Sequence, residues 1–312
     1  MNKELLYFPS IDSGAISAYM RNPDKFENDF GITPHWWKDA WPEKYRKHRY
    51  YLSSAGVRYN DMNYIQDKID FPKDMVIFGD SGGYQITTGV VKWEVPLRKK
   101  IFDWLENNST IAANLDLPPR GVMEGKYDEC LSISYDNFKY FNENQTGKVE
   151  YLNCLQGHDF DSYKAWYDKM KGFEFNGFAV GDVAGPERYM GILALLLSEG
   201  ELQKTSCKHV HFFGISSIQE MVVLSYIQRI FDENGIDVQL IIDSSSPSRS
   251  STYGYHYLGF NWKQDSFQYV RLPRLRSDSA LTGKEKVMYN INSADELLFR
   301  RRSIYDICAR FS

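Results

Sequence analysis

The stretch VIFGDSGGYQ, residues 76–85, joins an apolar run to a turn that begins with an acidic residue and contains two glycines. Runs that end in a small or acidic residue and lead through a turn into a helix-like segment recur along the chain. Eight of them are candidate strands: residues 4–10, 49–56, 74–80, 109–116, 149–156, 177–182, 208–215 and 237–243. Strands that alternate with helical patterns indicate parallel strands joined by crossovers. Eight such strands favour an α/β fold of the (β/α)8 TIM-type barrel over an open sheet.

The length of the chain sets the expected domain organisation. A (β/α)8 barrel needs about 250 residues, and the chain has 312. We therefore predict a barrel over residues 1–254, with an insertion at 20–48. The remaining residues, 255–312, are predicted to form a short C-terminal appendage that packs on the barrel.

The composition is that of an ordinary globular protein, with 43% hydrophobic and 25% charged residues. A net charge of −4 gives no overall attraction to nucleic acid. Residues 255–312, however, hold ten Lys/Arg against six Asp/Glu, including RLPRLR (271–276) and FRRRS (299–303). This basic segment is compatible with a phosphate backbone as partner, and equally with a solvated charged surface.

The four cysteines are scattered and form no C-x-x-C pair, which indicates free thiols in a reducing compartment. The histidines do not cluster with them; HVH (209–211) is more typical of two core histidines on a strand than of a metal site. The N-terminal MNKELLYFPS has no long apolar run, and no segment is long enough to span a membrane. The sequence thus predicts a cytoplasmic protein without a bound metal.

The phrase GDSGG also surrounds the nucleophilic serine of trypsin-like proteases. Such a protease is an all-β protein whose histidine and aspartate lie well upstream of the serine. Here only 80 residues precede Ser81, and the chain alternates strand and helix. The protease interpretation is therefore poor, and Asp80 becomes the candidate reactive residue. Gly82 and Gly83 would let a ligand approach the backbone closely.

Active sites of (β/α)8 barrels lie at the carboxyl ends of the strands. The residues at those ends are Asp80, Asp116, Gln156, Asp182, Gly214 and Asp243. Helix N-capping, which favours aspartate in strand-to-helix turns, would account for one or two of them. A group of this size instead predicts a site rich in carboxylates.

These residues carry a resemblance to a known family. DSGGYQ (80–85) resembles the Asp-Ser-Gly-Gly-(Phe/Tyr)-Gln signature of tRNA-guanine transglycosylases, (β/α)8 barrels that exchange guanine for a 7-deazaguanine. Five more segments resemble family segments in the same order: NLDLPP (114–119), CLQGHD (154–159), GFAVGDVAG (177–185), HFFGIS (211–216) and IIDSSSPSRSSTYG (241–254). The resemblance covers roughly residues 75–254.

The resemblance implies a role for each matched residue. Asp243 would be the nucleophile and Asp80 the general acid/base. Asp116 would accept the N1–H and amine donors of guanine, and Gln156 would donate to its O6. The other implied substrate contacts are Ser81, Gly82, Gly83, Tyr84, Gly181, Asp182, Phe213, Gly214 and Arg249. Tyr84 and Phe213 would stack on the flat base from opposite sides of the barrel mouth, although ordinary rim packing explains either ring equally well.

The sequence departs from the family pattern at several positions. Asp182 stands where a second glycine is usual, Phe213 at the usual methionine, and Thr252 at the second arginine of the nucleophile segment. The family's structural zinc cluster is absent, because residues 255–312 contain one cysteine. The chain thus looks like the zinc-free, DNA-modifying branch (DpdA-type) found in phages and bacterial genomic islands, which would place a phage-encoded copy in the host cytoplasm.

The resulting expectation is an enzyme that needs no cofactor and no metal. Its partners would be DNA, or alternatively tRNA, and a base such as 7-cyano-7-deazaguanine or 7-aminomethyl-7-deazaguanine. Two other functions stay open: a noncatalytic family member that binds nucleic acid, and a hydrolase that releases guanine without replacing it. Whether the protein forms a homodimer is also left open.

Overall fold

The computed structural model describes residues 3–10, 22–25, 48–69, 71–181, 185–244, 255–261 and 266–271, the last two segments by their backbone only. The chain divides into two compact units. The first combines Met1–Asp12 with His48–Ser244, and the second combines Ser13–Lys47 with Ser245–Ser312. The predicted boundary after residue 254 stays a prediction, because residues 245–254 lie outside the described ranges.

The first unit is built on eight parallel strands. They are β1 Leu6–Phe8, β2 Tyr50–Ser54, β3 Val76–Asp80, β4 Ile111–Ala113, β5 Glu150–Leu155, β6 Gly177–Val180, β7 His209–Phe212 and β8 Gln239–Asp243. Each strand from β2 to β7 pairs with the next along the chain, and β8 pairs with β1. A parallel bridge between Ser10 and Leu52 links the end of β1 to β2, so the barrel is nearly closed. The predicted (β/α)8 barrel is confirmed, and every strand lies within its predicted range.

Helices connect the strands, and local sequence signals mark where several of them start. The α-helices are α1 Ala55–Arg58, α2 Gly83–Thr87, α3 Val95–Asn108, α4 Tyr127–Asn144, α5 Phe160–Met170, α6 Pro186–Ser198 and α7 Ile218–Glu233. A π-helix spans Tyr64–Ile69, and short 3-10 turns span Gly121–Met123 and Glu201–Gln203. A reciprocal capping box between Asp159 and Ser162 starts α5. A proline lies in the first turn of α3 and of α6. Proline is favourable there because the N–H that it lacks would have no partner within the helix.

Two apolar layers hold the barrel together. Outside the strands, large side chains such as Trp104 on α3 and Trp166 on α5 are fully buried. The indole N–H of Trp166 donates to the carbonyl of Cys154 at 2.8 Å, which ties α5 to β5. Inside the barrel, Phe8 of β1 lies 6.0 Å from Phe78 of β3 between ring centroids. The interior is therefore a packed core, as is usual for barrels of this size.

The second unit contains one described sheet. Its strands β9 Tyr255–Asn261 and β10 Ser266–Arg271 pair antiparallel, with a register irregularity between Gln268 and Tyr269. Among the described residues of the whole chain, no helix combines the length and the apolar character needed to cross a membrane.

The start of β6 offers a test of the barrel register. Gly177 has φ +142°, and a Cβ there would lie 1.9 Å from the carbonyl oxygen of His209 on β7. We expect Gly177→Ala to lower the free energy of unfolding by about 1–3 kcal/mol, since neighbouring backbone would have to move. Gly172→Ala is the matched control, because its added Cβ meets nothing within 4 Å and should change stability by less than about 0.5 kcal/mol. Equal stabilities of the two variants in urea unfolding would contradict this register.

Candidate active site

Asp80 is the last residue of β3 and lies opposite Ser54, the last residue of β2. Its Oδ2 accepts a hydrogen bond from the Ser54 hydroxyl at 2.7 Å, and its Oδ1 accepts one from the Gly82 N–H at 3.2 Å. Burial raises the pKa of Asp80, and the negative charge of Asp243 raises it further, while the two hydrogen bonds act in the opposite direction. Asp80 therefore holds its proton to a higher pH than an ordinary aspartate.

The two glycines after Asp80 are required by close backbone approach. Gly82 has φ +89°, and a Cβ there would lie 2.3 Å from the Cα of Gly56 in α1. A Cβ on Gly83 would lie 2.3 Å from the carbonyl oxygen of Asp116. The Gly-Gly turn thus brings the start of α2 against the segment that carries Asp116. This position in the turn leaves no room for larger residues.

Ser81 is buried, and its hydroxyl donates to the carbonyl oxygen of Asn114 at 3.1 Å. This bond ties the turn after β3 to the chain that leaves β4. The hydroxyl is therefore engaged with the backbone, which suits a residue that supports the loop. Its predicted contact with a substrate stays a prediction.

Asp116 and Gln156 form a buried acidic–amide pair. The Gln156 Nε2 donates to Asp116 Oδ2 at 2.6 Å. Burial, and to a smaller extent the charge of Asp80, raises the pKa of Asp116 to about 6, while the bond from Gln156 opposes the shift. The Oε1 of Gln156 is buried and has no hydrogen-bond partner among the described residues. The pair therefore offers polar atoms that a ligand with both donors and acceptors could satisfy.

Gly181, just after β6, makes room for this pair. A Cβ at Gly181 would lie 2.2 Å from the Nε2 of Gln156. The hydroxyl of Tyr163 on α5 donates to the carbonyl of Gly181 and holds the strand end in place. Gly181 thus contributes to the site by leaving space for the amide of Gln156.

Asp243 is the last residue of β8, and its carboxylate is anchored through one oxygen. The Oδ1 accepts hydrogen bonds from the Nε2 of His211 at 3.0 Å and from the N–H of Gly214 at 3.1 Å. Gly214 adopts φ +75°, a conformation that glycine reaches without strain. The side chain of Asp243 is 17% exposed, whereas that of His211 is 0% exposed. In the His211–Asp243 pair, the histidine is thus buried and the carboxylate is partly exposed.

The two predicted aromatic contacts lie in different surroundings. Phe213 is partly buried, with ring centroids 4.5 Å from His211 and 6.0 Å from Phe78. Tyr84 on α2 is 54% exposed, and the guanidinium of Arg120 lies 5.1 Å from its ring centroid. Phe213 therefore packs beside the Asp243 pair, while Tyr84 presents a ring to solvent.

The barrel brings together five of the six predicted rim residues: Asp80, Asp116, Gln156, Gly214 and Asp243. The charges of Asp116 and Asp243 each interact with Asp80, and Asp116 bonds Gln156 directly. Helix capping does not explain Asp80 or Asp116, since the residues that cap α2 and α4 are Gly82 and Lys126.

Asp182 and Arg249 lie outside the described residues, so their roles stay predictions. In the ranges that the structure describes, no group of three His, Cys, Asp or Glu side chains is placed to hold a metal ion. The segment where the family carries its zinc cluster lies outside those ranges beyond residue 271. The expectation of a zinc-free protein therefore stays a prediction as well.

Sequence reasoning missed three contributors to the site. Ser54 lies near the carboxyl end of a predicted strand, and this position indicates the rim of the barrel. A serine at that position does not by itself indicate a hydrogen bond to Asp80. Gly56 matters only through its approach to Gly82. The alternate spacing of His211 with His209 is a sequence signal, and it predicts core packing. The bond of His211 to Asp243 cannot be foreseen from that spacing.

The buried carboxyl of Asp116 predicts a specific pH dependence of stability. Its pKa is about 6 in the folded protein against an ordinary 3.8. A raised pKa favours folding below 3.8, and this contribution is lost as the pH rises through about 6. Asp116→Asn abolishes this titration, and Gln156 can turn its amide so that Oε1 accepts from the new side chain. We expect the stability of the variant relative to wild type to increase by roughly 3 kcal/mol between pH 3.5 and 7.5.

Asp168→Asn provides a control of opposite sign. Hydrogen bonds from Lys164 and Lys171 lower the pKa of Asp168. Its stabilising contribution is therefore present at neutral pH and lost as the pH falls, so the variant should lose stability relative to wild type as the pH rises. Urea unfolding of the three proteins across this pH range measures both effects. A stability difference for Asp116→Asn that stays flat with pH would contradict the burial of a titrating carboxyl.

Similarity to known proteins is limited to distant structural resemblance. No protein-family model matches the chain, and no curated protein matches it. Among solved structures, the chain is similar to the crystal structure of "a putative lyase/mutase from Burkholderia cenocepacia J2315", with a TM-score of 0.38 and 10% sequence identity over 80% of each chain. A similarity this distant carries no argument about activity. The barrel is established by the strand order and register of this chain alone.

Proposed function

We propose that the protein is an enzyme, a guanine transglycosylase that exchanges guanine for a 7-deazaguanine in DNA. The observation that carries the proposal is the electrostatic interaction of two unlike carboxyl groups, Asp80 and Asp243, at one end of the barrel. Asp243 is partly exposed and anchored through one oxygen, and Asp80 has a pKa raised by burial and by the charge of Asp243. The six ordered segments that resemble tRNA-guanine transglycosylases support the same assignment.

The chemistry needs a nucleophile and a proton carrier. In the first step a carboxylate oxygen of Asp243 bonds C1′ of the target nucleotide, the bond from C1′ to N9 of guanine breaks, and Asp80 gives its proton to the departing base. In the second step Asp80 takes the N9 proton of the incoming 7-deazaguanine, whose N9 bonds C1′ as the ester to Asp243 breaks. Two displacements at one carbon retain the anomeric configuration, and Asp80 returns to its starting state.

Base recognition is assigned to Asp116 and Gln156. Guanine and 7-deazaguanine share an edge with two donors, N1–H and the exocyclic amine, and one acceptor, O6. The carboxylate of Asp116 suits the donors, and the second hydrogen of the Gln156 amide nitrogen suits O6. Both side chains are buried, so an unsuitable base would leave polar atoms without partners, at a cost of about 1–3 kcal/mol each.

DNA is preferred over tRNA on sequence grounds. The cysteine cluster and the second arginine that the family uses with tRNA are missing from this chain. In duplex DNA the target guanosine must be flipped out or already single-stranded before its C1′ can reach Asp243. A catalytically silent nucleic-acid-binding protein is the alternative from another class. The hydrogen-bonded carboxyls of Asp80 and Asp243 argue against it, since a silent protein needs neither.

Mass spectrometry of nucleosides tests the proposal directly. Cells that express the protein and are supplied with a deazaguanine should contain a 7-deazaguanine deoxynucleoside in DNA and none in tRNA. Cells that express Asp243→Ala are the matched control and should contain it in neither. Modification confined to tRNA would move the substrate to tRNA, and its absence from both pools in the wild type would favour the noncatalytic alternative.

The division of work between the aspartates predicts different failures. Asp243→Ala should form no covalent adduct with DNA and should not exchange bases, because the bonding oxygen is missing. Asp80→Asn keeps the shape of the side chain but cannot carry a proton, so exchange should fall by about 10²–10⁴-fold while DNA binding persists. Labelled-guanine incorporation and denaturing gels of the trapped adduct measure these effects.

Ser81→Ala is the matched control in the same turn. It removes the bond to Asn114 but no proposed catalytic group, so substantial exchange should remain. Loss of activity in Ser81→Ala together with full activity in Asp243→Ala would contradict this mechanism and reopen a serine-based one.

A further inference from the structure

We propose that His211 is a positioning residue that fixes the carboxylate of Asp243 and leaves its Oδ2 as the oxygen that bonds C1′. This inference rests on the proposed function. It assigns a chemical role to His211, which the sequence predicts as a core histidine. It follows from three observations on the described residues: the hydrogen bonds that they donate to Asp243 reach one oxygen only, the imidazole packs against aromatic rings, and none of them partners the second ring nitrogen.

The two donors to Asp243 reach the same oxygen. His211 Nε2 lies 3.0 Å and the Gly214 N–H lies 3.1 Å from Oδ1. In the described part of the chain, Oδ2 accepts no comparable bond. Two donors from different segments, β7 and the turn after it, define the plane and direction of the carboxylate. Orientation of this kind matters because a misplacement of about 1 Å can cost about 100-fold in rate.

The imidazole itself is held by packing. Its ring stacks on Phe78 with centroids 4.0 Å apart and an interplanar angle of 21°, and the ring of Phe213 lies 4.5 Å away at 63°. The side chain is 0% exposed. A ring enclosed in this way cannot swing away from Asp243, so β7 and the aromatic layer transmit their rigidity to the carboxylate.

The second ring nitrogen shows that packing alone is not the reason for a histidine. The Nδ1 of His211 is buried and has no hydrogen-bond partner among the described residues. An unsatisfied buried polar atom destabilises a protein, and an apolar ring would fill the same space without that cost. The Nε2 bond to Asp243 is the evident compensation. Because a carboxylate only accepts, the ring is expected to carry a hydrogen on Nε2.

A direct proton-transfer role fits the geometry less well. A general base must reach the proton that it removes. The Nε2 is occupied by Asp243, and the Nδ1 lies within a side chain that has no exposed surface. His211 therefore acts on the reaction through Asp243.

Single-turnover kinetics of adduct formation test the role. His211→Phe keeps an aromatic ring against Phe78 but removes the donor, and should slow adduct formation by about 10- to 100-fold with little change in DNA affinity. His211→Gln retains an amide N–H at similar reach and should recover most of the rate. His209→Gln is the matched control on the same strand, where the histidine pairs with Glu150 instead of Asp243, and should react at the wild-type rate.

Nitrogen NMR of the ring separates this inference from the proposed function, because it needs no activity. The wild-type spectrum should show a hydrogen on Nε2 of His211, and the Nε2–H signal should shift in Asp243→Asn but not in Ser81→Ala. A wild type that shows this pattern but forms no adduct with DNA or tRNA would sink the proposed function and leave the pairing intact.

Two results would overturn the inference. One is an adduct rate in His211→Phe equal to that of the wild type, since the donor would then be dispensable. The other is a ring protonated at Nδ1 and unprotonated at Nε2, since such a ring could not donate to the carboxylate. If His211→Phe fails to fold, a slow rate in a folded His211→Gln with unchanged NMR of its neighbours would also count against the role of the donor.

Discussion

Parallel pairing in a nearly closed barrel is the constraint on which the rest of this structure depends. When all strands run in one direction, their carboxyl ends must meet at one rim. The register places Ser54 opposite Asp80 and Phe8 opposite Asp243. A shift of one residue in any of these pairings would turn the side chain to the opposite face. Carboxyl groups far apart in sequence are thereby forced into one electrostatic environment.

That environment is costly, and the fold compensates for it with specific donors. Burial disfavours the ionised form of a carboxyl group, and a nearby negative charge disfavours it further. Both effects raise the pKa values of Asp80 and Asp116. Each carboxyl has its own compensating donor: the Ser54 hydroxyl for Asp80, the Gln156 amide for Asp116, and the His211 ring for Asp243. The three groups therefore differ in character, although all are aspartates. In the proposed function, this difference would allow a single site to hold a nucleophile, a proton carrier and an acceptor for a base.

Missing side chains shape the site as much as the charged ones do. Gly82 touches Gly56, Gly83 touches the backbone at Asp116, and Gly181 leaves space for the amide of Gln156. At each of these positions a methyl group would overlap an atom of the site. Inside the barrel, Phe78 stacks on His211, whose ring bonds Asp243. The glycines thus allow the turns of the site to pack closely against neighbouring backbone and against the Gln156 amide.

The strand pattern can be read from the amino-acid sequence. Apolar runs of the right length, each closed by a small or acidic residue, mark all eight strands because burial between a core and a helical layer demands such runs. The same pattern located Asp80, Asp116, Gln156 and Asp243 at strand ends, and hence at one rim. Local signals also marked helix starts such as Asp159 and Pro186, since capping depends on neighbours in the chain.

Which groups touch, by contrast, depends on the folded chain. Nothing in the spacing of His211 and Asp243 relates them, and the closeness of Ser54 to Asp80 or of Gly56 to Gly82 depends on how neighbouring strands and turns align. The pKa of Asp116 likewise follows from burial and from the charge of Asp80, both of which arise only when distant segments meet. The physical reason is that hydrogen bonds and desolvation act over a few ångströms in space. A linear pattern records the elements that carry these groups but not the distances between them.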